Sequence, residues 1–406
     1  MTHITERLFG LLGIAVFLAL AFLVSRNRRA IDKRTVFVGL GLQVLLALVV
    51  LKTTPGQWVF SKIGDGVTAL LSFTSAGSRL LFGPKIIDEK VLGIVFAFHV
   101  LPTVVFISAF FTLLYYFGVL QAIVKGMAWV MMRLMNASGA ESLNSAANVF
   151  MGQTEAPLIV KPYIVSMTTS ELLCTMIAGM ATIAGGIMAA YIGMGIEAEA
   201  LLTASAMSAP GAIVISKILM PETGDPLTRG IVRVEVPKTD VNFVDALARG
   251  ASDGMRLAAN IAAMLIAFLA MVALVDAVLS AISSDLTLTK IFGWVFSPVA
   301  YLLGIPAADT QPVASLLGTK LVLNEFVAYA NLVDLQTAET ISHRSQTIAT
   351  FALCGFANVG SIGIQIGGIG SLAPERRSDL ARLAFLALFG GFSASLLNAA
   401  IASVLI

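Results

Sequence analysis

The stretch Asn148-Val149-Phe150-Met151-Gly152-Gln153-Thr154-Glu155-Ala156-Pro157 places two amides, a hydroxyl, a carboxylate, a glycine and a helix-breaking proline within ten residues. A second polar cluster, Leu323-Asn324-Glu325-Phe326-Val327-Ala328-Tyr329, follows, with Glu325 standing 170 positions after Glu155. A carboxylate accepts hydroxyl donors, and an amide supplies both a donor and an acceptor. These are tools for holding a polar solute. They interrupt long apolar runs, and a broken polar backbone at membrane depth is tolerated only where it is enclosed by protein or lines a watery cavity. The two clusters therefore read as halves of one binding site, and the rest of the chain as the machinery that carries it.

Composition sets the class. Hydrophobic residues make up 57% of the 406-residue chain and charged residues 12%, far from the roughly 45–50% and roughly 25% of soluble domains. An all-α integral membrane protein follows. The formal net charge of +2 gives no reason to expect nucleic acid, because the basic residues cluster beside apolar runs as topology signals do. Cys174 and Cys354 fall inside apolar stretches and read as reduced, buried thiols, with no disulfide and no metal site. Three histidines, His3, His99 and His343, without a His-Glu-x-x-His pattern, leave no constellation for an intramembrane enzyme. A channel needs a continuous polar pore, whereas the polar groups concentrate in two patches.

Eight spans are predicted: Phe9 to Val24, Val36 to Leu51, Leu92 to Phe117, Leu172 to Ile192, Leu201 to Met220, Leu257 to Ile282, Thr347 to Ile369 and Leu383 to Val404. The first is a retained span, not a signal peptide, because its basic cluster (Arg26, Arg28, Arg29, Lys33, Arg34) follows the apolar run. Amphipathic interfacial helices are expected at Trp58 to Phe73, Gln121 to Met135 and Val241 to Met255. Pro221 to Arg249, with Arg229, Arg233 and Lys238, reads as a cytoplasmic loop. His99, just before Leu101-Pro102, is expected to pack and not to relay protons. Eight spans put both termini on one side, and the basic loops at Arg26–Arg34 and Arg376–Arg382 then both fall inside, so both termini are expected outside the cytoplasm of a bacterial inner membrane.

The two polar clusters do not suit crossing helices. Glu141 to Tyr163, broken at Gly152-Gln153-Thr154-Glu155, and residues 290–338, with Pro298, Pro306 and Pro312, are expected to be re-entrant helical hairpins. Each is followed by a span with a break, near Gly179 to Gly186 in the first case and Gly355 to Ser361 in the second, and then by a closing span. The first hairpin starts from the cytoplasm and the second from outside. Inverted repeats with broken helices are the signature of secondary transporters, whose sites lie near the midplane.

At this point a resemblance becomes specific. Gly152-Gln153-Thr154-Glu155-Ala156-Pro157, Asn324-Glu325-Phe326-Val327-Ala328-Tyr329 and Phe351-Ala352-Leu353-Cys354-Gly355-Phe356-Ala357-Asn358 resemble the signatures of concentrative nucleoside transporters. So do Phe96-Ala97-Phe98 with Val100-Leu101-Pro102, and Gly370-Ser371-Leu372-Ala373-Pro374 with Arg376-Arg377. The likeness runs over nearly the whole chain and points to the bacterial, eight-span, sodium-coupled type. It implies nucleoside import by cation symport, an elevator mechanism and a homotrimer in the lipid bilayer. It also implies a scaffold of spans one to three and six and a transport domain of both hairpins with spans four, five, seven and eight. The corresponding segments are 1–136 (mostly scaffold), 137–222 (first transport repeat), 223–290 (loop, interfacial helix and span six) and 291–406 (second transport repeat).

By the same resemblance, Gln153, Thr154, Glu155 and Ile187 lie near the nucleobase, and Glu325, Phe356, Asn358 and Ser361 near the ribose. Sodium is expected at Asn148, the Met151 carbonyl, Thr182 and the Ile183 carbonyl. Threonine at 182 departs from the family's serine but keeps the hydroxyl. Some relatives use protons, and two carboxylates suit that alternative. The other use of Glu155 and Glu325 is a helix-packing ion pair with Lys161, Lys320 or an arginine. An elevator carrier for another small polar solute is the remaining alternative, although a carrier of anions should place Arg or Lys near the breaks, where this chain has acids.

Overall fold

The structure, a computed structural model, describes residues 2–88, 95–230, 240–283 and 285–406. The expected start of the third span at Leu92, and Arg233 and Lys238 of the long loop, lie outside these residues. The described regular structure is helical throughout. Seven of its helices are long and apolar enough to cross a membrane.

The first two, α1 (Thr2–Val24) and α2 (Lys33–Lys52), are joined by the basic turn. Its charges have structural partners as well as a topological meaning. Arg28 donates to the Phe22 and Leu23 carbonyls at the end of α1, at 3.1 and 2.6 Å. Arg34 reaches the Arg133 and Leu134 carbonyls at 3.2 Å. Cations at helix C-termini satisfy the last carbonyls and the negative end of the dipole.

Next come α3 (Thr54–Ser72), α4 (Thr74–Phe82), α5 (Pro84–Ile87), the span α6 (Phe96–Tyr116) and α7 (Val119–Met135). Helix α7 buries Leu120, Val124, Ala128, Met131 and Met135, one stripe at steps of three and four. Lys125, Trp129 and Arg133 on its other side are exposed. His99 is held by backbone, its ring nitrogens lying 3.0 Å from the Val95 carbonyl and 3.3 Å from that of Ile87.

The first repeat comprises α8 (Gly139–Ala147), the four-residue α9 (Ala156–Ile159) and α10 (Lys161–Ile164), α11 (Thr169–Ala181), α12 (Gly185–Gly193) and α13 (Ala198–Leu219). The returning limb of the first hairpin is split at Val160 because Pro162 has no N–H to continue the ladder. A 40-residue helix, α14 (Phe243–Ile282), follows. It merges the expected amphipathic helix at Val241 to Met255 with the sixth span, giving one rod about 60 Å long at 1.5 Å per residue. The rod seats on α6 through Gly250 and Gly254, where an added Cβ would come within 2.7 Å of the Ala109 and Val105 Cα atoms. Small residues permit that backbone approach.

The second repeat has α15 (Leu288–Leu302), α16 (Thr310–Val322), α17 (Glu325–Thr337), α18 (His343–Leu353), α19 (Val359–Leu372) and α20 (Arg377–Leu405). The expected seventh span, Thr347 to Ile369, is two helices of 11 and 14 residues, so neither is long enough alone.

Each repeat ties its hairpin entrance to its broken helix with a buried hydrogen bond. In the first, α8 and α11 start with capping boxes, Ser138 with Glu141 and Thr168 with Glu171, and Ser138 donates to Glu171 at 2.6 Å. Lys217 of α13 closes the cluster, 2.6 Å from Glu141 and 2.8 Å from Ser170. In the second, Asp309 accepts from the Ser342 and Ser345 hydroxyls at 2.6 Å each. Burial raises the Asp309 pKa, but these bonds outweigh it and hold the carboxyl below its ordinary range.

The repeats cover one another. Protein buries 89% of the most apolar window of α11 with α12, and 78% of that of α13, against 6% for α14 and 22% for α1. The breaks in the two split helices meet in that covered region. The Phe356 N–H donates to the Thr182 carbonyl at 3.2 Å. Gly355 has φ +136°, and a Cβ there would come within 2.8 Å of the Met180 carbonyl and 2.9 Å of Ser395 Oγ. Both the backbone angle and the space demand glycine. Gly355→Ala should cost about 1–3 kcal/mol of stability, seen as a lower thermal midpoint in detergent. An unchanged midpoint would mean that the crossing tolerates a side chain.

Candidate functional site

Four interrupted elements converge on the crossing: the turn between α8 and α9, the break between α11 and α12, the start of α17, and the break between α18 and α19. Each exists because its sequence stops a helix. Pro157 stands at the start of α9. Asn324 and Asn358 cap α17 and α19, accepting from the Val327 and Ser361 N–H groups at 2.8 and 2.9 Å.

The polar side chains form a continuous chain. Gln153 Nε2 donates to Ser361 Oγ at 3.1 Å. The Ser361 N–H donates to Asn358 Oδ1, and Asn358 Nδ2 donates to Glu325 Oε2 at 2.9 Å. Tyr191 of α12 donates to the other oxygen, Oε1, at 3.3 Å. Both repeats and both hairpins thus share one network. Gln153, Glu325 and Asn358 are each only 6% exposed. Capacity remains in it: Gln153 Oε1 is buried without a protein partner, and an ionised carboxylate has about four acceptor positions, of which Glu325 uses two internally. Gly179 makes room, since a Cβ there would lie 2.9 Å from the Gln153 Cβ and 2.8 Å from Gln365 Nε2.

Among the expected solute-binding residues, the structure joins Gln153, Glu325, Asn358 and Ser361 directly. Phe356 is half-buried at the crossing, and Ile187 is buried on α12, one turn before Tyr191. Thr154 and Glu155 form a separate pair at the open edge, with Thr154 Oγ1 donating to Glu155 Oε1 at 3.1 Å. The Glu155 carboxylate folds over Gly152, where a Cβ would collide with it. The ion pairs considered for the two acids are not formed with Lys161 or Lys320 among the described residues. Lys320 is fully buried and gives its hydrogen bond to the Ala352 carbonyl, at 2.8 Å.

The expected cation ligands lie on the first-repeat side of the crossing. Asn148 is fully buried, its Nδ2 donates to the Asn144 carbonyl at 2.9 Å, and its Oδ1 has no protein partner. The turn that holds Met151 is pinned to the break of the split helix by the Gly185 N–H, which donates to the Phe150 carbonyl at 2.9 Å. Thr182 and Ile183 form that break, Thr182 at φ −122° and ψ 168°, and both are buried. An unpartnered buried amide oxygen next to unwound backbone is the neutral, oxygen-bearing setting that suits a small hard cation.

The pattern of residues alone does not single out Tyr191, or Lys320 as more than a possible ion-pair partner. A signal for Tyr191 was present: it lies four residues after Ile187, hence on the same helix face, and a buried tyrosine hydroxyl needs a partner. Cys174 and Cys354 are free and buried.

Three family models together match most of the chain. The model described as Na+ dependent nucleoside transporter C-terminus matches residues 200–403, its N-terminal counterpart residues 12–85, and one described as nucleoside recognition residues 97–198. A Haemophilus influenzae protein described as an uncharacterized transporter is 41% identical, with 98% of each chain covered. Sodium/nucleoside cotransporter 1 of Mus musculus is 43% identical over 98% of this chain, which spans 64% of that relative's length. Among solved structures, CNTnw in an inward-facing substrate-bound state superposes with a TM-score of 0.95 at 39% identity, covering 98% of both chains. An outward-facing variant of CNTnw superposes with a TM-score of 0.92 at 38% identity, covering 98% of this chain and 97% of that one.

Proposed function

This chain belongs to the Na+-dependent (concentrative) nucleoside transporter family, and from that premise we propose that it imports nucleosides by sodium symport. It is a transporter and not an enzyme. The observation that carries the proposal is the buried network from Gln153 through Ser361 and Asn358 to Glu325, which retains free acceptors. An amide end and a carboxylate end suit the two ends of a nucleoside. Gln153 offers a donor and an acceptor to a base edge, with Thr154 and Glu155 at the rim and Ile187 as an apolar neighbour. Glu325 accepts sugar hydroxyls, oriented by Asn358, with Ser361 and Phe356 beside it.

Sodium, as the co-transported substrate, is held by Asn148 Oδ1, the Met151 and Ile183 carbonyls and the Thr182 hydroxyl. The hydrogen bonds from Gly185 to Phe150 and from Phe356 to Thr182 link this region to the first hairpin and to the break between α18 and α19. A cation there steadies the turn that presents Gln153 and Thr154. Binding and coupling are therefore reciprocal.

The chain moves by an elevator step. Segments 137–222 and 291–406 carry the site and travel together, against a scaffold from 1–136 and the span in 223–290. CNTnw is known in inward- and outward-facing states, and the burial contrast between α11 and α14 supports the division. In this reading α18 and α19 together make the seventh span and α20 the eighth, both hairpins are re-entrant, and three copies assemble through scaffold faces that the single chain leaves uncovered. Both termini lie outside the inner membrane.

Sodium should raise nucleoside affinity, and nucleoside should raise sodium affinity by the same factor. Thr182→Val removes one cation oxygen, so it should weaken nucleoside binding mainly at low sodium, with recovery as sodium rises in a calorimetric series. Equal wild-type affinity in sodium and in choline would remove the sodium site and favour the proton. Glu325→Gln should lose about 1.5–3 kcal/mol, the worth of a charge-assisted hydrogen bond, or roughly tenfold or more in affinity. Unchanged affinity, with 3′-deoxy analogues still discriminated, would refute its sugar role. Cysteine labelling should reach both termini from outside, and a cytoplasmic C-terminus would overturn the eight-span topology.

A further inference from the structure

The two repeats treat the ends of their split helices differently. Helices α11 and α18 are equivalent in order, and each stops in the covered interior at Ala181 and Leu353. A helix C-terminus leaves four carbonyls without helical partners and carries partial negative charge. In lipid-shielded surroundings that end needs a positive partner.

At the end of α18 the partner is part of the chain. Lys320, in the last turn of α16, is fully buried and donates to the Ala352 carbonyl at 2.8 Å. Its ammonium also lies 5.5 Å above the centre of the Phe392 ring, and it is within electrostatic reach of Glu325. Tyr329 and Ser395 donate to the neighbouring Thr350 and Cys354 carbonyls, both at 2.8 Å. At the end of α11 the donors are neutral. Thr182 Oγ1 donates to the Ala178 carbonyl at 2.8 Å, Gln365 to that of Met176 at 2.9 Å, and Asn144 to that of Thr175 at 3.3 Å. Among the described residues no lysine or arginine donates to the carbonyls of residues 178–184. The residue that closes α8, the counterpart of α16, is Asn148, whose Oδ1 is left without a protein partner.

We propose that Lys320 is a built-in cation, doing permanently for the second repeat what the co-transported ion does reversibly for the first. The asymmetry confines ion coupling to the first hairpin. The second hairpin and the Glu325 it presents are ordered whether or not sodium is bound, so the sugar end of the site is preformed and the base end is conditional. An ammonium buried at such a cost is retained because a neutral residue leaves the end of α18 uncompensated. Lys320 acts as a positioning residue. The assignment of the reversible ion rests on the sodium reading above, whereas the tethered charge at α18 does not.

The test is nucleoside calorimetry and thermal unfolding of the purified full chain across a sodium-for-choline series. Lys320→Met keeps an unbranched side chain one atom shorter and removes the charge. It should weaken nucleoside binding at least tenfold at every sodium concentration, leaving the slope of log affinity against log sodium as in wild type. Lys320→Asn supplies an oxygen and space, imitating Asn148. It should steepen that slope, and sodium should raise its thermal midpoint more than it raises that of wild type. Wild-type affinity in Lys320→Met would overturn the proposal, as would equal losses in both variants with unchanged slopes. If Lys320→Met does not fold, the sodium-dependent midpoint of Lys320→Asn decides: a rise no larger than in wild type refutes the built-in cation. A wild-type protein insensitive to sodium would refute the coupling reading alone, since loss of binding in Lys320→Met in choline still reports on the tethered charge.

Discussion

The hydrogen bond from the Phe356 N–H to the Thr182 carbonyl joins two backbones that have both left the helix. Inside a membrane each such group is costly unless satisfied by protein, so two interrupted helices are far easier to keep when they interrupt at the same place and satisfy one another. Gly355 lets the strands approach, and Gly391 lets α20 close over Met180 behind them. Much of the polar network hangs from this crossing. Asn358 and Ser361 start the half-helix that leaves it on one side, and Ile187 and Tyr191 lie on the half-helix that leaves on the other.

The crossing also explains how a solute site and an ion site can be distinct and yet coupled. Gln153 and Asn148 belong to one turn, pinned to the split helix through Phe150 and Gly185. In the proposed reading, an ion beside Asn148 orders that turn and a solute on Gln153 orders it too, so each lowers the cost of the other's binding. On the second hairpin the ordering groups are the protein's own, with Asn358 and Tyr191 holding both oxygens of Glu325. On that proposal, pairing a conditional half with a prearranged half gives the ion a role in affinity without requiring it to touch the solute.

The covered and uncovered helices match the proposed division into a moving part and a scaffold. A unit that moves with its cargo is expected to keep its polar network internal, and α11 to α13 with α20 are the most covered of the long apolar helices. The long rod α14 and the span α6 meet through Gly250 and Gly254, and the C-terminal part of α14 exposes apolar side chains such as Ile266, Leu269, Met271 and Leu274. The α14 rod also shows a limit of reading hydropathy. An amphipathic stretch and an apolar stretch were expected as two helices, but no residue between Met255 and Leu257 breaks a helix, and the ladder runs through.

By itself the sequence determined the membrane class, the places where helices must stop, and the kinds of group displayed there. Those properties are local: apolar runs, Gly, Pro and capping residues act within a few positions of themselves. Pro157, Asn324, Asn358 and Gly355 could therefore be read as interruptions, and the acids beside them as a site. Which groups bond across the breaks was decided by the tertiary structure. That Tyr191 holds Glu325, 134 positions away, that Lys320 faces a helix end and not a carboxylate, and that Glu155 stands apart at the rim all depend on how distant segments fold back on one another. A single sequence carries no local signal for contacts at that separation. They are chosen by the need to satisfy every buried donor and acceptor at once.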